Sequence, residues 1–117
     1  MSEPDIRIYH NPRCSKSRAA CALIEEKGCT AEVIEYLKAP PSKEELRQLL
    51  KMLDMKPGDL VRKNEEIFRD QYTGLKLSDE QWLDALVAHP ILIERPIVVR
   101  GSKAVVARPA AKVMELL

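Results

Sequence analysis

The chain opens on a short alternation. Ile6, Arg7, Ile8 and Tyr9 put an apolar side chain at every second position, the period of a half-buried strand. Pro12 interrupts it, and from Ser15 to Lys27 the period lengthens. Ala20, Leu23 and Ile24 then share one stripe of a helix, with Gly28 as its stop. AEVIEYL, Ala31 to Leu37, is rich in β-branched and aromatic residues and predicts a second strand. Strand, helix and strand of these lengths make a βαβ unit, whose crossover implies parallel pairing.

The middle third keeps a helical period. Ser42 and Glu45 form a capping box ahead of Leu46, Leu49, Leu50 and Leu53. Ser78 and Gln81 form another ahead of Trp82, Leu83, Leu86 and Val87. Between them DLVRKNEEIFRDQY predicts further helix, with a break near Gly74. Pro90 and Pro96 bracket PILIERP. IVVR and AVVA, joined by Gly101, Ser102 and Lys103, then predict an antiparallel hairpin, glycine suiting a tight bend. Pro109 suits the first position of a closing helix, Ala110 to Leu117. This order predicts an α/β fold: a thioredoxin-like, four-stranded mixed sheet with a helical insertion, about residues 42–89, between the second and third strands. The chain, 1–117, is expected to form one domain.

Composition adds mainly exclusions. A net charge of +1 gives no long-range field for nucleic acid or an anionic membrane, so the basic residues matter by position. No apolar run approaches the length of a membrane span. MSEPDIRIYH lacks a charged leader with an apolar core, and three cysteines suit a disulfide scaffold poorly. A reducing, cytoplasmic setting is expected.

The candidate chemistry lies in YHNPRCSKSR, Tyr9 to Arg18, where a cysteine falls at the junction of strand and helix. A free thiol is mostly protonated at neutral pH, and only the thiolate is a nucleophile. At a helix N-terminus the sulfur meets unpaired N–H groups and the positive end of the dipole, which favour ionisation. Cys14 is therefore the candidate nucleophile, with Ser17 placed to turn a hydroxyl back toward it and Arg13, Lys16 and Arg18 adding charge nearby. Cys21 is seven residues further along the same helix, a rise of about 10 Å, too far for a disulfide. Cys29 lies beyond the helix stop and is expected to be farther still; both read as bystanders. A dithiol motif would place its second cysteine at position 17, which is serine, so any adduct on Cys14 must be resolved by an external thiol. The cysteine spacings match no structural zinc pattern, so no metal is expected.

IYHNPRCSKSR, LVRKN, HPILIERPIVV and the Arg108–Pro109 pair together resemble the ArsC-type arsenate reductases that work with glutathione and glutaredoxin. The resemblance is collinear from Ile6 to Leu117 and is to the short chromosomal type, with NPRCSKSR where operon members carry NPACGTSR-like residues and a longer tail. It implies a thioredoxin-like fold, arsenate as substrate, glutathione as co-substrate, glutaredoxin as partner and no bound cofactor. It also implies that Cys14 attacks arsenate while Arg62, Arg95 and Arg108 bind the oxyanion. Planar guanidinium forks suit a tetrahedral dianion better than lysine does. By the same resemblance His10 tunes the sulfur and the Arg95–Pro96 bond is cis. His89 is given no chemistry; it is expected to cap a helix or to pack. Two other classes stay open on this fold. One is a general glutaredoxin-like thiol oxidoreductase. The other is an Spx-like regulator that binds RNA polymerase without turnover, although such proteins commonly carry the dithiol switch that Ser17 removes. Both leave the arginine set unused.

Overall fold

The opening alternation becomes β1, Ile6–His10, in a computed structural model that describes residues 5–117. Ile6, Ile8 and also Tyr9 are buried, so the strand is covered on both faces at its end, where half burial is predicted. The cause is its central place in the sheet. β2, Ala31–Glu35, lies parallel on one side, with Ile6 opposite Ala31. β3, Ile97–Arg100, lies antiparallel on the other, with Ile8 opposite Val98. β4, Lys103–Val106, completes the hairpin, giving the strand order β2-β1-β3-β4. This is the mixed, four-stranded, thioredoxin-like sheet that the sequence predicts.

Contacts divide the chain into two compact units: the described part of Met1–Ala39 with Arg95–Leu117, and Pro40–Glu94. The first holds the sheet. Its crossover helix α1, Ser15–Glu26, ends where Gly28 adopts φ +75°, a left-handed conformation that glycine reaches without strain. The Gly28 N–H then reaches Glu25 O at 2.9 Å and the Cys29 N–H reaches Ile24 O at 3.1 Å, reversing the chain. β2 stops at Glu35, two residues short of Leu37, because the Lys38 and Ala39 N–H groups both turn back to the Glu35 carbonyl. The closing segment is a 3-10 helix, Ala110–Glu115, flanked by Pro109 rather than begun by it. Its Lys112 N–H bonds the carbonyl three residues back at Pro109. Val113 from this segment joins Ile6, Ile8, Ala20, Ile24, Val98 and Ala107 in the core.

The second unit is helical. α2, Lys43–Leu53, starts at Ser42, whose hydroxyl accepts the Glu45 N–H, and buries Leu46, Leu49 and Leu50. α3 is short, Glu66–Gln71, and α4 runs Asp79–Ala88 behind the complete capping box of Ser78 and Gln81. α4 buries Leu83, Ala85 and Leu86 but leaves Val87 exposed, so its inward stripe is displaced from the predicted one. The continuous helix expected over Asp59–Tyr72 is absent. A 3-10 turn, Pro57–Leu60, gives way to a bridge in which Val61 pairs with Ile93. The Arg62 N–H meets Leu92 O at 2.7 Å and the Glu94 N–H meets Leu60 O at 2.8 Å. These bonds satisfy extended backbone across a long loop, and local periodicity does not register such a partner. Gly74 has φ +79°, the predicted break. His89 caps the end of α4 and packs edge-on against Tyr72. Among the described residues no helix is long and apolar enough to cross a membrane.

Candidate active site

Cys14 is the N-cap of α1, with extended backbone at φ −96° and ψ 120°. Its N–H bonds Asn11 O and its carbonyl accepts the Arg18 N–H, each at 3.0 Å, so the turn into the helix holds the residue from both sides. The thiol is partly exposed. It makes no compact cap hydrogen bond of the kind a serine would make; the helix acts on the sulfur through the partial charge of its first amides. Burial pushes the thiol pKa up, but the Ser17 N–H, the Arg95 guanidinium and the Lys16 N–H together outweigh it. The net result is a pKa below the ordinary thiol range.

The nearby cation is therefore not one of those adjacent in sequence. Arg13, Lys16 and Arg18 are exposed, and Arg18 spends one N–H on the Pro12 carbonyl at 2.9 Å. Arg95 is buried, 7% exposed, and comes to the sulfur from just before β3, across a cis Arg95–Pro96 bond. Arg108 follows β4, and its Nη1 donates to the Arg95 carbonyl at 3.2 Å.

The hairpin explains this convergence. Ile97 stands opposite Val106, and one step further the Ala107 N–H reaches Pro96 O at 2.9 Å. The next step puts Arg95 across from Arg108, so a turn at Gly101 and Ser102 sets both arginines at one end of the ribbon. Cys14, Arg95 and Arg108 thus share one unit. Arg62 belongs to the other unit, where it is held at 3.1 Å by Glu65 and at 3.6 Å by Glu94.

Ser17 is fully buried and does not turn its hydroxyl to the sulfur as predicted. The hydroxyl lies 2.7 Å from His10 Nδ1 and accepts the Asn11 N–H at 3.0 Å; the serine's main-chain N–H is what acts on Cys14. Burial lowers the His10 pKa, opposed by Glu35 and assisted by Arg18, so the imidazole is neutral at neutral pH. Asn11 is the residue that sequence reasoning missed. It is buried, its side-chain Oδ1 accepts the Arg13 N–H at 3.0 Å, and its carbonyl holds the Cys14 N–H. Asn followed by Pro is a turn signal, and it marks the residue that shapes this loop. Ser17→Ala is expected to strand the Asn11 N–H and to lower stability by about 1–3 kcal/mol, read as a reduced urea midpoint at unchanged slope.

Residues 9–116 match the profile of the ArsC family. The chain is 41% identical to a protein of Neisseria meningitidis named arsenate reductase, over 97% of this chain and 99% of that protein. It is 40% identical to an Escherichia coli protein of the same name, over 97% of this chain and 81% of that longer protein. Its structure superposes on an arsenate reductase from Vibrio cholerae with a TM-score of 0.91 at 43% identity, covering 96% of this chain and 97% of the other.

Proposed function

This chain belongs to the ArsC family, and on that footing we propose that it is an arsenate reductase whose nucleophile is Cys14. The observation that carries the reading is the Arg95 guanidinium beside a thiol of lowered pKa, with Arg108 on the Arg95 carbonyl. A forked guanidinium beside the sulfur, with a second arginine on its carbonyl, suits a tetrahedral oxyanion. The names of the relatives point the same way. Arg62 enters the proposal through the LVRKN motif, and His10 and Ser17 as supports of the loop.

In the proposed reaction Arg95, Arg108 and Arg62 neutralise the arsenate oxygens while the α1 amides stabilise the sulfur. The Cys14 thiolate attacks arsenic, and one oxygen leaves as water after protonation. Glutathione condenses on the same arsenic with loss of a second water. The thiolate of glutaredoxin then attacks the glutathione sulfur, and the sulfur–arsenic bonding pair stays on arsenic, which becomes trivalent. The products of that step are a glutaredoxin–glutathione disulfide and Cys14-bound arsenic(III), which water releases as arsenite. The external thiols are required because position 17 offers a hydroxyl. No bound cofactor enters the scheme.

The test is NADPH oxidation in a mixture of this protein, arsenate, glutathione, glutathione reductase and glutaredoxin. Arsenate-dependent turnover that needs both external thiols is expected. Absence of arsenate-dependent turnover rejects the reading. Turnover on glutathionylated peptide, untouched by Arg95→Ala, would favour the general thiol oxidoreductase instead.

A further inference from the structure

We propose that Glu65 and Glu94 divide the control of Arg62: Glu65 aims its guanidinium, and Glu94 occupies it as a resident anion that a tetrahedral oxyanion must displace. The gate rests on the oxyanion role proposed above for Arg62. The side chains of Arg62, Glu65 and Glu94 are only 12%, 23% and 27% exposed, so their charges are screened less than those of a surface pair. Two backbone features bring them together. The bridge of Val61 with Ile93 bonds the Arg62 N–H to Leu92 O and the Glu94 N–H to Leu60 O, which leaves Arg62 and Glu94 diagonal on one face of the paired segments. Glu65 follows three residues after Arg62 and is the N-cap of α3, yet its side chain makes no cap hydrogen bond and turns to Arg62.

The two contacts differ in kind. Glu65 Oε1 accepts from Arg62 Nε at 3.1 Å, a charge-assisted hydrogen bond on the inner nitrogen of the fork. Glu94 Oε1 stands 3.6 Å from Nη1, beyond hydrogen-bond reach but close enough for a strong attraction. The bond on Nε holds the plane of the guanidinium and leaves both outer nitrogens to receive an anion. Glu94 stands against one of those nitrogens, with the charge sign and the oxygen chemistry of an oxyanion. A tetrahedral dianion that takes both outer nitrogens gains a hydrogen-bonded fork and pushes this carboxylate aside. Glu94 thus sets how strongly an oxyanion must bind to enter, and Glu65 keeps the fork aimed during the exchange. Glu65 is a positioning residue, acting through Arg62 without touching the anion.

The experiment is a calorimetric titration of the full chain at low ionic strength with inorganic phosphate, an unreactive tetrahedral probe. Glu94→Gln is expected to tighten phosphate binding about tenfold. Glu66→Gln removes the same charge from an exposed position beside Glu65 and is the control for overall charge; it should change Kd less than about twofold. Adding Arg62→Ala should remove most of the Glu94→Gln gain. Glu65→Ala should bind about tenfold more weakly than Glu65→Gln, whose carbonyl can still accept the Nε–H. A merely structural role for Glu65 would move the melting temperature and leave that ratio at one. A Kd for Glu94→Gln no lower than for Glu66→Gln, a gain that persists without Arg62, equal Kd values for the two Glu65 variants, or no phosphate binding by any of these proteins would overturn the proposal. The comparison of Glu94→Gln with Glu66→Gln needs no Glu65 variant to fold. Binding is scored without turnover, so a protein that fails to reduce arsenate can still show the gate, and a reductase can lack it.

Discussion

Cys14→Ser is expected to reduce arsenate-dependent turnover by about a thousandfold or more, because the attacking atom itself is removed. A serine hydroxyl is far too weak an acid for the α1 amides and one guanidinium to ionise at neutral pH. The fold should not suffer. Serine is a preferred N-cap, and position 14 is the N-cap of α1, so the substitution is expected to leave stability unchanged or raise it by up to about 1 kcal/mol. Activity lost with an undiminished melting temperature separates a missing nucleophile from a damaged structure. Residual activity near that of the parent would move the chemistry to another residue.

Arg95 carries the second large effect. Its guanidinium is buried against the sulfur, where it lowers the thiol pKa, and the proposed function gives it the incoming oxyanion to bind. Arg95→Ala is expected to cost about 10²–10³ in kcat/KM for arsenate, the scale of removing one preorganised oxyanion donor. It should also return the Cys14 pKa toward the ordinary range. Arg95→Lys keeps the charge and loses the planar fork, so it should restore the thiol pKa more than it restores kcat/KM. If both variants shift the pKa but leave arsenate kinetics alone, Arg95 tunes the sulfur without binding the anion.

The pH dependence has a definite sign. The Cys14 pKa is depressed in the folded protein, so the thiolate persists as pH falls below the ordinary thiol range and is lost only through the lowered value. The stability that ionisation contributes is complete above the unfolded pKa and disappears through the same lower window.

The βαβ unit, the hairpin and the capped helices could be read directly from the chain because period, caps and glycine stops are local signals. The segment from Val61 to Glu65 could not, because its partner, Ile93, is distant in sequence and a single bridge leaves no period. The site divides along the same line. Cys14 at the start of α1 is a local inference. The pairing of Arg95 with Arg108 needed the hairpin register, which its turn fixes; the resemblance implies the roles proposed for them, and the geometry gives the reason they meet. Ser17 was assigned the wrong atom. The first turn of a helix offers the sulfur a main-chain donor, while the buried hydroxyl has nearer partners in His10 and the Asn11 N–H.

The most direct test of the account is the rate of Cys14 alkylation by iodoacetamide across pH, with and without arsenate, in a protein carrying Cys21→Ser and Cys29→Ser. A midpoint clearly below the ordinary thiol range of about 8–9 is expected, with the rate suppressed by arsenate in wild-type Arg95 and not in Arg95→Ala. A midpoint within that range, indifferent to arsenate, would contradict it.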